Sequence, residues 1–272
     1  MPSTRAAEFL ALHQRPEAFV LPNVWDAGSA KVMARAGFPA LGTTSAGIAF
    51  SAGLPDDGSI GRERMVERIG AIAAAVDVPV SADIESGYAD DPDGVAATVR
   101  AVIAAGAVGA NLEDAEDGAL FSVDHAVARV EAARAAADGE GAPFTLNART
   151  DSFLAGAPDP FADAVERAAR YVAAGADCIF VPGPSDAATI GRLAEAIDAP
   201  LNVVAGLAGE PLTLAELSRL GVRRVSIGGS LARAALGLVE RAAQEMLDGR
   251  FDFTAGAIAH AEVNRLMAHL RE

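Results

Sequence analysis

The stretch Ser81-Ala-Asp-Ile-Glu-Ser-Gly-Tyr88 predicts the end of a short buried strand that carries two carboxylates, Asp83 and Glu85, just before a glycine. Because successive side chains of a strand point to opposite faces, positions 83 and 85 would share one face. Burying two acidic groups side by side is costly unless a cation or a proton lies between them. Carboxylate oxygens suit a hard cation such as Mg2+, so the stretch predicts a metal site.

Two further strands are predicted to end in polar residues. One ends in Asn111-Leu-Glu-Asp114, and the other ends in Asn147-Ala-Arg-Thr-Asp151. Asp114 and Asp151 are expected to orient neighbouring side chains rather than to contact a metal. Three polar strand ends in one chain indicate an active site.

Apolar runs of strand length alternate with alanine-rich segments of helical period, which is typical of repeated βα units around a parallel sheet. The predicted strands cover residues 19–24, 40–44, 78–84, 108–112, 144–148, 178–181, 201–204 and 224–227. The predicted helices cover residues 28–36, 62–75, 93–105, 124–137, 160–173, 186–196, 212–220, 231–247 and 255–270. Several of them stop at an Ala-Gly or Leu-Gly pair, where glycine accepts the left-handed cap, as at Gly37, Gly106, Gly175 and Gly221. Eight βα units predict an α/β fold of the (β/α)8 TIM-barrel type.

The barrel is expected to form one domain over residues 1–272, with 251–272 as a C-terminal helical extension. A doubly wound sheet is disfavoured because no Gly-x-Gly-x-x-Gly follows the first strand. In a barrel the active site lies at the carboxyl ends of the strands, which is where the polar clusters fall. The extension carries an apolar stripe that must be buried on its own barrel or on a neighbour: Ile258, Val263, Leu266 and Met267.

The composition limits the partners. The 272 residues are 51% apolar, and 22 basic against 37 acidic residues give a formal charge of -15. Such a surface repels nucleic acid and anionic membranes, so neither is expected as a partner, and an anionic substrate must be held by local cations. A single cysteine, Cys178, excludes an intrachain disulfide, and no secretory signal or membrane-spanning run is seen. We therefore expect a cytoplasmic protein.

Six motifs together resemble the isocitrate lyase and phosphoenolpyruvate mutase superfamily. Three are the strand ends above, and the others are Pro22-Asn-Val-Trp-Asp-Ala-Gly-Ser-Ala30, Thr43-Thr-Ser-Ala-Gly47 and Gly53-Leu-Pro-Asp56. The resemblance runs in order from about residue 20 to about residue 205 and implies a (β/α)8 barrel. It also implies an Mg2+ cofactor, with Mn2+ as an alternative, and small anionic 2-oxo acids as substrates. A terminal helix exchanged between subunits is implied as well. The apolar stripe of the extension predicts a homotetramer built as a dimer of dimers, since such a stripe would be a liability on a monomer.

The resemblance assigns roles to single residues. Asp83 matches the direct metal ligand, and Glu85, Asp56 and Glu113 would hold metal-bound waters. Arg149 matches the arginine that grips a substrate carboxylate. The substrate's oxygens are assigned to a turn, Thr44-Ser45-Ala46-Gly47, and to Asn202 on the seventh strand. Tyr88, a metal-bound water and bulk water are the candidates for the proton donor.

The chain departs from this family in the segment after the fourth strand. Isocitrate and methylisocitrate lyases have a Lys-Lys-Cys-Gly-His-type loop there, whereas this chain has Ala115-Glu-Asp-Gly-Ala-Leu-Phe121, without cysteine, lysine or histidine. The lysine and asparagine that phosphonate-processing members have in this loop are also missing. Cys178 is expected to be a buried small hydrophobe.

These departures favour a decarboxylase. Loss of CO2 from oxaloacetate generates the enolate directly, without a base, and Mg2+ chelated by the 2-oxo acid stabilises its charge. The sequence therefore predicts a Mg2+-dependent carbon-carbon lyase of the oxaloacetate decarboxylase type. Phosphonopyruvate hydrolysis or other carbon-phosphorus chemistry is the second interpretation. A catalytically weakened 2-oxo-acid-binding protein is the third.

Overall fold

The computed structural model describes residues 2–206 and 212–268. Its helices are α1 Pro2–His13, α2 Ala27–Arg35, α3 Ser45–Ser51, α4 Arg62–Ala73, α5 Pro92–Ala104, α6 Val123–Gly139, α7 Pro160–Ala173, α8 Ala187–Ala196, α9 Leu214–Arg219, α10 Ser230–Leu247 and α11 His260–Ala268. Its strands are β1 Phe19–Leu21, β2 Asn23–Val24, β3 Leu41–Thr43, β4 Val80–Asp83, β5 Gly109–Glu113, β6 Ala115–Glu116, β7 Ala119–Leu120, β8 Thr145–Arg149, β9 Cys178–Phe180, β10 Leu201–Val204 and β11 Arg224–Ser226.

The main sheet is parallel and closes into a barrel. Its order is β1-β11-β10-β9-β8-β5-β4-β3-β2. The first and last members, β1 and β2, are two halves of one strand interrupted at Pro22, which has no N–H to give to the ladder. One half pairs with β11 and the other with β3, so the ring is complete. The predicted TIM barrel and all eight of its strands are confirmed.

Apart from the last one, the predicted helices begin and end within two residues of their predicted bounds. Aspartate side chains cap α5, α7 and α8, and a proline occupies the first turn of both α5 and α7. All four glycines predicted as caps have φ between 95° and 101°. Helix α9 begins at residue 214 rather than 212, because Thr213 and Glu216 form a capping box.

Helix α1, which was not predicted, closes the amino-terminal end of the barrel. Its Phe9 is fully buried in a cluster with Leu12, Leu21 and Val108. Gly109 makes this possible, since a Cβ there would lie 2.7 Å from the Thr145 carbonyl oxygen and 2.9 Å from the Phe9 ring. The opposite end of the barrel, where the polar strand ends lie, stays open.

The C-terminal extension is less helical than predicted. A 3-10 turn covers Asp252–Gly256, and the α-helix begins only at His260, because Ala257 is extended after the poor helix former Gly256. The predicted positions 269–270 lie outside the described residues. Helix α11 lies on α2 of the same chain, where Arg35 and Glu262 form a 2.7 Å ion pair. Exchange of this helix between subunits stays a prediction.

Several large apolar side chains of α10 face outward, and so does Phe251 just beyond the helix. They are Leu236, Leu238, Val239, Met246, Leu247 and Phe251.

Among the described helices, none combines the length and apolar character needed to cross a membrane.

Candidate active site

Three strand ends bring the predicted residues to one mouth of the barrel. Strand β4 ends at Asp83, β5 ends at Glu113 and β8 ends at Arg149. The register places Glu113 directly opposite Arg149. A cavity of about 680 Å³ opens here. Its lining includes these predicted residues: Ser45, Asp56, Glu85, Tyr88, Glu113 and Arg149. Among the described residues, Asp83 lies behind the lining in contact with the Ser45 amide, and the lining does not include Thr44, Ala46 or Gly47.

Arg149 is held by two carboxylates. Its Nε and Nη2 donate to the two carboxylate oxygens of Asp151 at 2.6 and 2.8 Å. Its Nη1 lies 2.7 Å from Glu113 Oε2. Burial acts against the charged guanidinium, but the carboxylates of Glu113 and Asp151 outweigh burial, so the pKa of Arg149 is raised. The guanidinium is therefore a permanent cation in a fixed orientation, and Asp151 orients its neighbour as predicted.

The acidic side chains repel one another. Burial raises the pKa of Asp56, and the charge of Asp83 raises it further. Burial raises the pKa of Glu85 to about 7, with Asp83 and Asp56 adding to the effect against the hydrogen bond from Tyr88. Burial raises the pKa of Glu113 to about 8 despite its contact with Arg149. Such a cluster gains stability from a proton or a cation placed among its oxygens.

Glu85 reaches the cavity by a different route from the predicted one. Strand β4 stops at Asp83, so strand alternation does not align positions 83 and 85. Glu85 and Tyr88 instead adopt left-handed backbone conformations, with φ of 48° and 53°. Each costs on the order of 1 kcal/mol or more, and such strain is concentrated at functional sites. The Tyr88 hydroxyl donates to Glu85 Oε1 at 2.7 Å, which makes the two residues one unit.

The predicted turn at residues 44–47 is the start of helix α3. Thr44 caps the helix by accepting from the Gly47 amide at 3.3 Å. The Ser45 amide donates to Asp83 Oδ2 at 2.9 Å, so this amide orients the predicted metal ligand rather than a substrate. Within the described residues, the Ala46 amide is the one in this turn without an acceptor. A seven-residue helix directly after a strand was missed because its sequence has too little periodicity.

Asn202 lies deeper than predicted. It is fully buried, accepts from the Ser226 hydroxyl at 3.0 Å and does not line the cavity. Its contact with substrate stays a prediction.

A hairpin of β6 and β7, which was not predicted, covers one side of the cavity. Ala115 pairs with Leu120, and Glu116 pairs with Ala119. Asp117 and Gly118 form the turn, both with positive φ, at 50° and 75°. Both residues line the cavity together with Glu116. The Asp-Gly pair is a known hairpin signal that could have revealed this element from the sequence.

Comparison with known proteins shows which family the chain belongs to. A profile of the phosphoenolpyruvate phosphomutase family matches residues 9–247. The chain belongs to the isocitrate lyase and phosphoenolpyruvate mutase superfamily. The predicted resemblance is therefore confirmed, and the superfamily includes lyases and mutases.

Three similar proteins differ in their sequence identity to this chain and in the share of each chain that is covered. A solved structure from Burkholderia cenocepacia J2315, described only in general terms as a lyase or mutase, is 48% identical, with coverage of 98% of this chain and 96% of that chain and a TM-score of 0.94. Oxaloacetate decarboxylase of Paraburkholderia xenovorans is 31% identical, with coverage of 82% and 75%. An oxaloacetate acetylhydrolase structure with the product oxalate is 25% identical, with coverage of 98% and 95% and a TM-score of 0.88.

In isocitrate and methylisocitrate lyases, the segment after the fourth strand is expected to carry the catalytic cysteine. In this chain the same segment forms the acidic hairpin of β6 and β7. Cys178 instead starts β9, is fully buried, and has its thiol pKa raised to about 12 by burial. Within the described part of the chain, no cysteine, lysine or histidine lines the cavity.

Proposed function

We propose that this superfamily member is a divalent-metal-dependent carbon-carbon lyase that decarboxylates oxaloacetate or a closely related small 2-oxo acid. The observation that carries the proposal is the composition of the cavity. Carboxylates converge around the oriented Arg149, and the described lining, whose other cation is Arg62, has no thiol, amine or imidazole. Decarboxylation fits such a lining because no base has to remove a proton before the carbon-carbon bond breaks.

The carboxylates fit Mg2+ held largely through water. No group of three histidine, cysteine, aspartate or glutamate side chains in the described residues is close enough to bind one ion directly. Mg2+ often keeps several waters and uses only one or two carboxylates, so this spacing suits it. Asp83 would be the direct ligand, with Glu85, Asp56 and Glu113 around it. When bound, the ion would supply positive charge that stabilises negative charge developing on the substrate's keto oxygen.

Arg149 and the start of α3 would hold the substrate. The arginine presents its remaining N–H groups to a substrate carboxylate, and the Glu113 and Asp151 contacts keep it from turning away. The Ala46 amide, in the first turn of α3, would donate to a second substrate oxygen. As C3–C4 of oxaloacetate breaks, its electron pair moves into the enolate and CO2 leaves.

The last proton would come from water. Burial and the neighbouring charge of Glu85 raise the pKa of Tyr88, and its hydroxyl proton is already donated to Glu85. Tyr88 is therefore a weak acid in this setting, and we assign it the role of orienting Glu85. Protonation of the enolate at C3 by water completes pyruvate.

A substrate panel tests the proposal. Oxaloacetate, phosphonopyruvate, isocitrate and methylisocitrate are each incubated with Mg2+ while pyruvate, phosphate, oxalate, glyoxylate and succinate are followed. Because Mg2+ also accelerates spontaneous loss of CO2 from oxaloacetate, Asp83→Asn at equal concentration gives the background. We expect pyruvate above that background. Oxalate release would indicate hydrolysis instead, phosphate release would indicate carbon-phosphorus chemistry, and tight binding without any product would indicate a binding protein.

A further inference from the structure

Behind the cavity lies a buried polar cluster that the proposed chemistry does not use. It consists of Asp114, Arg167 and Tyr171, all at most 5% exposed. Asp114 Oδ2 accepts from the Tyr171 hydroxyl at 2.6 Å and from Arg167 Nη1 at 3.2 Å. Arg167 also contacts the Tyr171 hydroxyl at 3.3 Å. Buried polar clusters of this kind fix a unique geometry when their groups are satisfied.

One side of the cluster reaches the substrate arginine. Asp114 Oδ1 accepts from the Asp151 backbone N–H at 2.9 Å. The side chain of the same Asp151 makes the two-pronged contact with Arg149. The position of Asp114 therefore affects the orientation of Arg149, because Asp114 holds the Asp151 backbone and the Asp151 side chain holds Arg149.

The other side reaches the hairpin. The Phe121 N–H donates to the Asp114 carbonyl at 2.8 Å, and Arg167 Nη2 donates to the Phe121 carbonyl at 3.0 Å. Residues 114 and 121 flank the hairpin on either side. The same cluster that holds Asp151 therefore also holds both ends of the hairpin.

We propose that Arg167 is a positioning residue that couples the hairpin of residues 115–120 to the orientation of Arg149. Its guanidinium fork contacts Asp114, Asp163, the Phe121 carbonyl and the Tyr171 hydroxyl at once. A lysine ammonium has the charge but not the fork, so it cannot span these acceptors together. Arg167 does not line the cavity and acts through Asp114, Phe121 and Asp163, whose Oδ2 also accepts from the Ser152 hydroxyl at 2.6 Å.

Two variants and one control test the coupling. Arg167→Lys retains the charge, and Tyr171→Phe retains the buried ring while removing one donor to Asp114. The control is Arg134→Lys, since Arg134 makes similar contacts at the opposite end of the barrel, to the Phe144 carbonyl at 3.0 Å and Asp177 at 3.2 Å. Tyr171→Phe decides the question if Arg167→Lys does not fold.

The first measurement is amide hydrogen exchange, which needs no substrate. We expect faster exchange in both 114–121 and 149–152 in the two variants, with neither segment altered in Arg134→Lys. Acceleration in only one of the two segments, or equal acceleration in the control, would overturn the coupling.

The second measurement is steady-state kinetics, and this part rests on the proposed function because it needs turnover of a 2-oxo acid. A misoriented Arg149 weakens a contact made in both ground and transition states, so KM should rise about tenfold while kcat changes less than about threefold. A variant with altered exchange but unchanged KM would remove the link to substrate binding. If wild type turns over no 2-oxo acid, the proposed function fails, and hydrogen exchange alone decides the coupling.

Discussion

Replacing Arg149 by lysine tests the substrate grip. Arg149 makes charge-assisted contacts at 2.6, 2.8 and 2.7 Å to Asp151 and Glu113. A lysine ammonium is a point charge that can maintain one of these directions and cannot also present two parallel N–H groups to a substrate carboxylate. Losing a charge-assisted hydrogen bond costs about 2 to 3 kcal/mol, so we expect kcat/KM to fall about 30- to 150-fold.

The assay is the initial rate of pyruvate formation from oxaloacetate, with thermal unfolding recorded in parallel. Arg170→Lys is the matched control, because Arg170 forms a 2.8 Å ion pair with Asp124 on the surface, where the two side chains are 47% and 89% exposed. Such surface pairs contribute at most about 1 kcal/mol, so the control should have wild-type kcat/KM. An Arg149→Lys protein with unchanged kcat/KM would refute the assignment of Arg149 to substrate binding.

Three further predictions concern pH, the cysteine and assembly. In the metal-free protein, burial raises the pKa of Glu85 from 4.5 to about 7 and the pKa of Glu113 from 4.5 to about 8. Between pH 4.5 and these raised values, the folded state therefore binds more protons than the unfolded state. The free energy of unfolding should then fall as pH rises from about 4.5 to about 8, by up to about 1.4 kcal/mol per pH unit for each group. Urea unfolding should show a shallower fall for Glu113→Gln, and equal slopes would contradict this. Cys178→Ser should lower stability by about 1 to 3 kcal/mol and leave turnover intact, with no glyoxylate released from isocitrate by either protein. Truncation after Gly249 should lower the mass measured by light scattering, whereas a full-length protein that is monomeric at micromolar concentration would exclude the predicted tetramer.

The barrel could be predicted because its signals are local and repeated. Each βα unit is marked by its own apolar run, helix cap and glycine, such as Gly106. A wrong prediction for one unit therefore does not affect the prediction of the others. Helix α1 was missed because its role is to close the barrel floor through Phe9, a contact about 100 residues away from Gly109 in sequence.

The site could be predicted in composition but not in geometry. Asp83, Glu113 and Arg149 end strands, so the fold alone brings them together. Glu85 reaches the cavity because its own backbone is left-handed, and the alternation of side chains along a strand does not predict this. The cluster around Arg167 had a signal that was overlooked, since Asp163, Arg167 and Tyr171 recur at intervals of four on one helix face.

The role of the carboxylate cluster can be tested by removing and restoring the metal. Protein treated with a chelator and then freed of it is assayed for pyruvate formation from oxaloacetate while Mg2+ is added back, with Asp83→Asn carried through the same steps. We predict that wild type regains activity in a saturable way and that Asp83→Asn gives only the metal-catalysed background at every Mg2+ concentration. Full activity in chelated wild type, or equal reactivation of Asp83→Asn, would contradict a metal-dependent lyase centred on Asp83.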